Sequence, residues 1–255
     1  MNIATYNLLK GGAKRCHWQR LLEVHGVEVL FVQESYPHDE HLPPLLYPRA
    51  RDRSVWANVR SNRWGSGIFS LSGVLSRVVL PKYDGWVVGA CIRQPDWRRH
   101  VDEILAFSVH APDGEGSYPG QVNRILDEIS SVIGDREVMI AGDFNFAISD
   151  SGDGRVEKRV QEIRERLADE FGLMNCWTEA NPGEPLPQTL RWTRDRSIPF
   201  HCDGIFVPRG WKSHLKSCEV LSGDEWDDLS DHNPVVARFG FEGGLGVEGE
   251  RVSVS

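Results

Sequence analysis

Val138-Met139-Ile140-Ala141-Gly142-Asp143-Phe144-Asn145 decides the reading of this 255-residue chain: a short apolar run stops at a glycine and meets an aspartate and an asparagine at once. Four apolar residues bounded by turn formers read as a buried strand, because a helix would need about ten or more residues of periodic pattern. The polar residues that close the run then stand directly at the end of a buried element. A polar group in that position is costly unless it has partners.

The same arrangement recurs in both directions. Upstream lie Asn2 to Tyr6, Glu28 to Val32, Gly67 to Leu71, Gly73 to Leu80, Trp86 to Ile92 and Ile104 to Val109; downstream lie Gly204 to Val207 and Pro234 to Phe239. Gly, Pro, Asn, Asp or Ser bound each of them, as they bound strands. Helical spacing shows over Trp18 to His25, Gln121 to Ile133 and Val156 to Phe171, the last with dense alternating charge. Strands outnumber helices by more than two to one, whereas a simple βαβ repeat would give near parity. The pattern predicts a strand-rich α/β fold, two packed sheets with helices outside.

Length and composition set the frame. Residues 1–240 read as a single domain, and 241–255, rich in Gly, Glu and Ser, as a flexible C-terminal tail. Asn181 to Gln188 holds three prolines and reads as a surface loop. The net charge of −8 argues against a passive nucleic-acid coat, which would be basic. It leaves room for an enzyme, since a metal site concentrates carboxylates. No apolar run approaches the ~20 residues needed to span a bilayer. The immediate strand at Asn2 leaves no room for a secretory leader. Cys16, Cys91, Cys176, Cys202 and Cys218 are odd in number, scattered and without a CxxC pair. They predict reduced thiols in the cytoplasm, with neither a disulfide frame nor a zinc site. A monomer is expected.

The residues at the strand ends are of four types only. Asn7 follows the first strand, Glu34 ends the second, and His110 ends Phe107-Ser108-Val109. Asp143 and Asn145 follow Gly142, Asp203 precedes Gly204, and Asp231 and His232 precede Asn233-Pro234. Each has an ordinary explanation when taken alone: Asn7 a turn residue, Glu34 a cap, Asp231 a turn cap, His110 a satisfied core histidine. Eight such residues at successive strand ends are hard to explain independently. If those strands lie side by side, the side chains converge at one sheet edge. Carboxylates and an asparagine there supply oxygen ligands for a hard cation, and two histidines supply proton-transfer or phosphate-binding groups.

Thr5-Tyr6-Asn7, Gln33-Glu34, Val109-His110, Gly142-Asp143-Phe144-Asn145, Asp203-Gly204-Ile205-Phe206 and Ser230-Asp231-His232-Asn233-Pro234, in this order, resemble the endonuclease/exonuclease/phosphatase superfamily over residues 2–240. The resemblance implies a DNase I-like four-layered sandwich of two mixed β-sheets with helices on the outer faces, and a site where strand ends from both halves meet. It implies a Mg²⁺-dependent phosphoric ester hydrolase in which Mn²⁺ can substitute. Glu34 is then the main metal ligand, supported by Asn7 and with Asp231 beside the metal. Asp143 orients or deprotonates the attacking water, Asn145 holds a phosphate oxygen or a metal-bound water, Asp203 orients His232, and His232 and His110 contact the phosphate. His110 stands where the abasic-site endonuclease branch carries a tyrosine, which points to the branches resembling DNase I, tyrosyl-DNA phosphodiesterases, deadenylases and inositol-phosphate phosphatases. Gly204 stands where many relatives carry a larger residue, which could open space beside the site. His201 is either a third histidine at the mouth or an exposed strand-start residue.

Nine tryptophans supply possible substrate contacts. Trp56, Trp64, Trp86, Trp97, Trp192 and Trp211 fall near strand ends and loops. Three patches mix aromatics with arginine: Arg60 to Trp64, Trp97 to His100, and Arg191 to Arg196. Such patches stack bases and hold phosphates, or they are half-buried core edges with a solvated rim. The favoured substrate is nucleic acid or a nucleotide. A phosphorylated small molecule such as an inositol phosphate or lipid headgroup is the alternative. A binding protein without activity is disfavoured, because no expected catalytic position is replaced.

Overall fold

The computed structural model describes residues 1–10, 16–41, 52–93, 103–114, 116–148, 157–191 and 200–241. Two six-stranded mixed sheets form among them. In chain order the strands are β1 (Asn2–Asn7), β2 (Val29–Ser35), β3 (Ser54–Asn58), β4 (Gly65–Ser70), β5 (Val74–Val78), β6 (Val87–Arg93), β7 (Glu103–His110), β8 (Val138–Asp143), β9 (Leu173–Asn175), β10 (Asp203–Pro208), β11 (Leu215–Val220) and β12 (Val235–Phe239). The first sheet runs β11-β12-β1-β2-β4-β3 and the second β5-β6-β7-β8-β10-β9. All nine expected strands are present, and β3, β9 and β11 are additional.

Burial on both faces explains why the central strands read as unbroken apolar runs. In the first sheet Ile3, Val29 and Phe31 face the second sheet, where Val88, Ile104, Met139, Ala141 and Ile205 meet them. The alternate residues Ala4, Tyr6, Leu30 and Val32 turn outward onto Trp18, Leu21 and Trp226. In the second sheet Leu105, Phe107, Val109 and Ile140 turn outward onto Val122, Ile125, Leu126, Ile129 and Ile163. These last residues come from helix Tyr118–Ile133 and helix Lys158–Glu165. The result is the expected four-layered α/β sandwich, helices outside and two sheets face to face. Helix Tyr118–Ile133 starts at Ser117, whose hydroxyl accepts from Gly120 N, and has proline in its first turn. No helix among the described residues is long and apolar enough to cross a membrane.

Strand direction places the site. β1 and β2 are parallel, so Asn7 and Gln33 end at the same edge. β12 is antiparallel to β1, which brings its first residue, Val235, opposite Thr5. In the other sheet β7 and β8 are parallel with His110 opposite Asp143. β10 is antiparallel to β8, with Asp203 also opposite Asp143. The ends of four strands and the starts of two therefore share one edge of the sandwich.

Candidate active site

The two sheets are joined at that edge by a direct bond: Asn7 Nδ2 donates to Asp143 Oδ2 at 3.0 Å. Just beneath it a buried polar chain crosses between the sheets. Thr5 Oγ1 donates to Gln33 Oε1 at 3.3 Å, Gln33 Nε2 to Ser108 Oγ at 2.9 Å, and Ser108 Oγ to the Val32 carbonyl at 2.9 Å. Gln33 is the partner of Glu34 in the motif, and its task here is to bolt the sheets together at the level of the site.

Glu34 reaches the site through a backbone irregularity. The pairing of β2 with β4 slips between Val32 and Ser35, and Glu34 has φ 49°. A left-handed non-glycine residue is uncommon, and at a bulge it re-aims its side chain. Glu34 Oε1 lies 3.6 Å from His110 Nε2, while Oε2 is buried without a hydrogen-bond partner among the described residues. Burial pushes the Glu34 carboxyl above its ordinary range, with the His232 imidazole opposing. An orphaned carboxylate oxygen in such a setting fits a cation ligand. Asn7 Oδ1 accepts from Leu9 N at 3.0 Å, and the partly exposed Asp231 accepts from Ser230 Oγ at 3.4 Å.

Asp143 is buried at the centre. Its Oδ1 accepts from Asn145 N at 2.9 Å, and its Oδ2 lies 3.7 Å from His232 Nε2 and 3.9 Å from His110 Nε2. The glycine before it is obligatory: Gly142 has φ 150°, and a Cβ there would sit 1.9 Å from the Val109 carbonyl oxygen. Asn145 is itself left-handed at φ 58°, and its Nδ2 donates to the Ala111 carbonyl at 2.9 Å.

His232 Nδ1 is 2.9 Å from Asp203 Oδ2, across 29 residues of sequence. Burial alone would lower the His232 pKa, but Asp203 and Asp143 outweigh it and raise it to about 10. Among the described residues no carboxylate comes closer to His110 than Glu34 at 3.6 Å, and burial drives the His110 pKa down to about 4. At neutral pH the site thus holds one charged imidazolium and one neutral imidazole.

Thr189, which no sequence pattern marked, together with Ser230 of the last motif and Arg191, holds this geometry. Thr189 Oγ1 accepts from both Cys202 N and Asp203 N, at 2.9 and 3.2 Å. Ser230 Oγ donates to the Asn7 carbonyl at 2.8 Å and accepts from His232 N at 3.1 Å. Arg191 is buried and donates to Asn233 Oδ1, to the Ser230 carbonyl and, at 3.3 Å, to the His232 carbonyl, with Asp227 at 3.0 Å. Leu190 bridges to both Phe200 and His232. Segment 188–191 therefore splices the start of β10 to the loop before β12, which sets Asp203 and His232 in register. Lys10, exposed and left-handed after β1, adds a cation that is felt at both Glu34 and His110.

Several expectations are corrected. Arg191 is this internal clamp and not part of a substrate patch, while Trp97 to His100 and residues 192–196 lie outside the described residues. Trp211 is core, edge-on to Phe239 and Phe241. Trp56 spends its ring N–H on the Ser35 carbonyl at 3.1 Å. His201 is buried with Nδ1 2.9 Å from the Pro187 carbonyl, so it is neither at the mouth nor exposed. The space beside Gly204 is filled: a Cβ there would meet Phe206 at 3.0 Å and Ile148 at 3.2 Å. Trp64 and Trp86 do reach the site. They are half-buried, edge-to-face at 5.6 Å, and lie 6.1 and 5.0 Å from the His110 ring. Beside them Arg63 lies over the Tyr36 ring at 5.0 Å.

Arg191→Met should lower stability by about 2–3 kcal/mol, because several buried carbonyls lose their donor at once. Urea unfolding should show a lower midpoint with an unchanged slope. A midpoint equal to the parent's would mean that the clamp carries no weight.

The sequence profile of the Endonuclease/Exonuclease/phosphatase family matches residues 4–232. No curated protein sequence matches the chain. Among solved structures, an AP endonuclease from Archaeoglobus fulgidus superposes with a TM-score of 0.69 at 16% identity, over 94% of this chain and 100% of that one. A 3′ phosphatase, NExo, from Neisseria, solved with a product DNA hairpin, gives 0.67 at 18% identity over 94% and 100%. The endonuclease domain of TRAS1, a telomere-specific non-LTR retrotransposon, gives 0.61 at 17% over 94% and 99%. These three share the fold of the chain, a DNase I-like sandwich.

Proposed function

The chain belongs to the endonuclease/exonuclease/phosphatase family and is a phosphoric ester hydrolase, and from that premise we propose that it is a Mg²⁺-dependent phosphodiesterase of nucleic acid or nucleotides, with Mn²⁺ able to substitute. The observation that carries the reading is the Asp203–His232–Asp143 arrangement. One carboxylate fixes the imidazolium from behind, and the other lies where the free nitrogen points. When bound, the metal supplies neutralisation of phosphoryl charge and stabilisation of the leaving oxygen. Glu34, Asn7 and Asp231 would hold it, and the orphaned Glu34 oxygen supports that assignment.

The remaining work falls to side chains. Asp143 orients the attacking water and takes its proton as the new P–O bond forms. His232, kept protonated by Asp203, donates to a phosphoryl oxygen that gains charge in the transition state. His110, neutral, contributes a hydrogen bond to the same group, and Asn145 holds a further phosphate oxygen. The aromatic pair Trp64 and Trp86 beside His110, with Arg63 at the rim, favours a base-bearing substrate. The four described cysteines outside the first helix are free and buried, in keeping with a reducing, cytoplasmic setting. The proposed enzyme acts as a monomer.

The test is a panel of single-stranded DNA, duplex DNA, RNA, dinucleotides and inositol phosphates, assayed with Mg²⁺ and with Mn²⁺. Single strands should be cut best. Turnover of inositol phosphates alone would overturn the substrate assignment and leave the hydrolase standing. On oligonucleotides Trp64→Ala should raise KM about 5- to 150-fold, the scale of one stacked base. A minimal base-free phosphodiester should be unaffected. Equal losses on both substrates would show that Trp64 is structural.

A further inference from the structure

The strand order of the two sheets lays the site out as a row. At the edge, strands of the first sheet face strands of the second, and each facing pair brings two side chains together. β12 and β10 give His232 and Asp203, 2.9 Å apart; β1 and β8 give Asn7 and Asp143, at 3.0 Å; β2 and β7 give Glu34 and His110, at 3.6 Å. The fourth pair is β4 and β6, and the residues just before them are Trp64 and Trp86, with ring centroids 5.6 Å apart. The steps along the row are short as well. Asp143 Oδ2 lies 3.7 Å from His232 and 3.9 Å from His110, whose ring lies 5.0 Å from that of Trp86.

The two ends of the row differ. At one end Asp203 and Cys202 are fully buried, and Arg191 ties down the loop that carries His232. At the other end both tryptophans are half-buried and keep part of their surface in solvent. Their backbones are fixed. Ser66 Oγ and His110 N donate to the Trp86 carbonyl at 3.1 and 2.9 Å, and Val59 N donates to the Trp64 carbonyl at 3.0 Å. Gly85 permits this close approach: its φ is 83°, and a Cβ there would sit 2.1 Å from the Asn58 carbonyl oxygen. A fixed, partly open aromatic pair is a surface on which a planar base stacks.

Displacement at phosphorus is in line, so the attacking and leaving oxygens stand on opposite sides and the retained ester oxygen lies across that axis. On the proposed function the water belongs at Asp143. Of the proposed metal ligands, Glu34 is the one with a buried oxygen that has no hydrogen-bond partner among the described residues, which puts the leaving oxygen on the Glu34 side. The axis from Asp143 to Glu34 runs on to the tryptophans. We infer that Trp64 and Trp86 form a subsite for the base of the leaving nucleoside, and that the half keeping the phosphate is bound without recognition of its base. Water adds to phosphorus and gives up a proton to Asp143. The P–O bond to the leaving nucleoside breaks, its oxygen takes up a proton from solvent, and the retained half ends as a phosphate monoester. The inference rests on the proposed function and adds to it which half of the diester is recognised.

The experiment uses single-stranded DNA in which an abasic residue replaces one nucleotide at a time, with the fragments mapped by mass so that the half keeping the phosphate is known. Loss of the base on the leaving side of a bond should slow cleavage at that bond about 5- to 150-fold, the scale of one stacked base. Loss of the base on the retained side should leave the rate unchanged. In Trp64→Ala the intact and abasic strands should be cut alike, because the tryptophan and the base act as one unit. Trp86→Ala serves if that variant does not fold. A readout without hydrolysis uses full-length protein in chelator and a fluorescent aminopurine beside the bond that is cut fastest. Binding to the parent should quench an aminopurine on the leaving side and not one on the retained side, and Trp64→Ala should lose the quenching. Equal sensitivity on both sides, greater sensitivity on the retained side, or losses that multiply in the Trp64 variant would overturn the inference while leaving the nuclease standing. A parent that cuts no nucleic acid would overturn the proposed substrate and this inference with it.

Discussion

Asp143→Asn should yield a folded protein whose kcat is at least ~10²-fold below the parent's, the scale of a lost general base. The geometry says why the fold should survive. Asp143 accepts two short hydrogen bonds, from Asn7 Nδ2 and from Asn145 N. An asparagine can keep one with its carbonyl oxygen, and the other becomes an opposition of two donors, costing about 1–3 kcal/mol. The chemistry has no such reserve. On the proposed mechanism the substitution removes the negative charge that would orient the attacking water, and it removes one of the two carboxylates that raise the His232 pKa. Both effects act in the transition state, so kcat should fall far more than KM rises. Circular dichroism and steady-state kinetics on a cleaved oligonucleotide check the point. A near-normal kcat would make Asp143 a structural turn residue.

Asp203→Asn should also cost kcat heavily, and it should leave a signature in pH. His232 has a folded pKa raised to about 10, against an ordinary 6.5, because Asp203 and Asp143 together outweigh burial. Activity that needs the imidazolium is present below that pKa and is lost as pH rises through it. Removing the Asp203 charge lowers the pKa, so the alkaline fall-off moves to lower pH. An asparagine can also offer its amide to Nδ1 and so favour the wrong tautomer. Mg²⁺ affinity should change little, since the proposed ligands lie elsewhere. Asp203→Asn and His232→Ala should be strongly non-additive, because they disable one unit. If Asp203 only caps a turn, the two losses multiply and its pH–rate profile overlays the parent's.

The central strands were legible because both of their faces are buried. Ile3 and Ala4, or Phe31 and Val32, point to opposite sides and are apolar on each. The strands that escaped, β3, β9 and β11, all lie at sheet edges. β11 buries only Cys218 fully, and β9 is three residues long, so neither carries an apolar run. That these polar residues gather at one edge was legible for a related reason: a carboxylate or histidine stands out at the end of an apolar strand. The residues that hold them were not. Thr189 and Arg191 act through backbone groups more than ten residues away in sequence, in a segment without periodicity, and such bonds leave no local pattern. Arg191 was misread for this reason, its neighbours Trp192 and Arg194 suggesting a surface patch. Trp211 shows the converse failure, since a tryptophan near a strand end looks the same in sequence whether it meets substrate or core.

On the proposed function these strand ends form one metal-dependent hydrolytic centre. Its most direct test is turnover of a single-stranded oligonucleotide by exhaustively chelated protein, before and after Mg²⁺ is restored. No cleavage is expected in chelator, with full recovery on Mg²⁺ or Mn²⁺ and a higher Mg²⁺ requirement in Glu34→Gln, which would lose one ligand charge at the bulge within β2. Undiminished cleavage after chelation, or a Glu34→Gln protein with the parent's Mg²⁺ dependence, would contradict it.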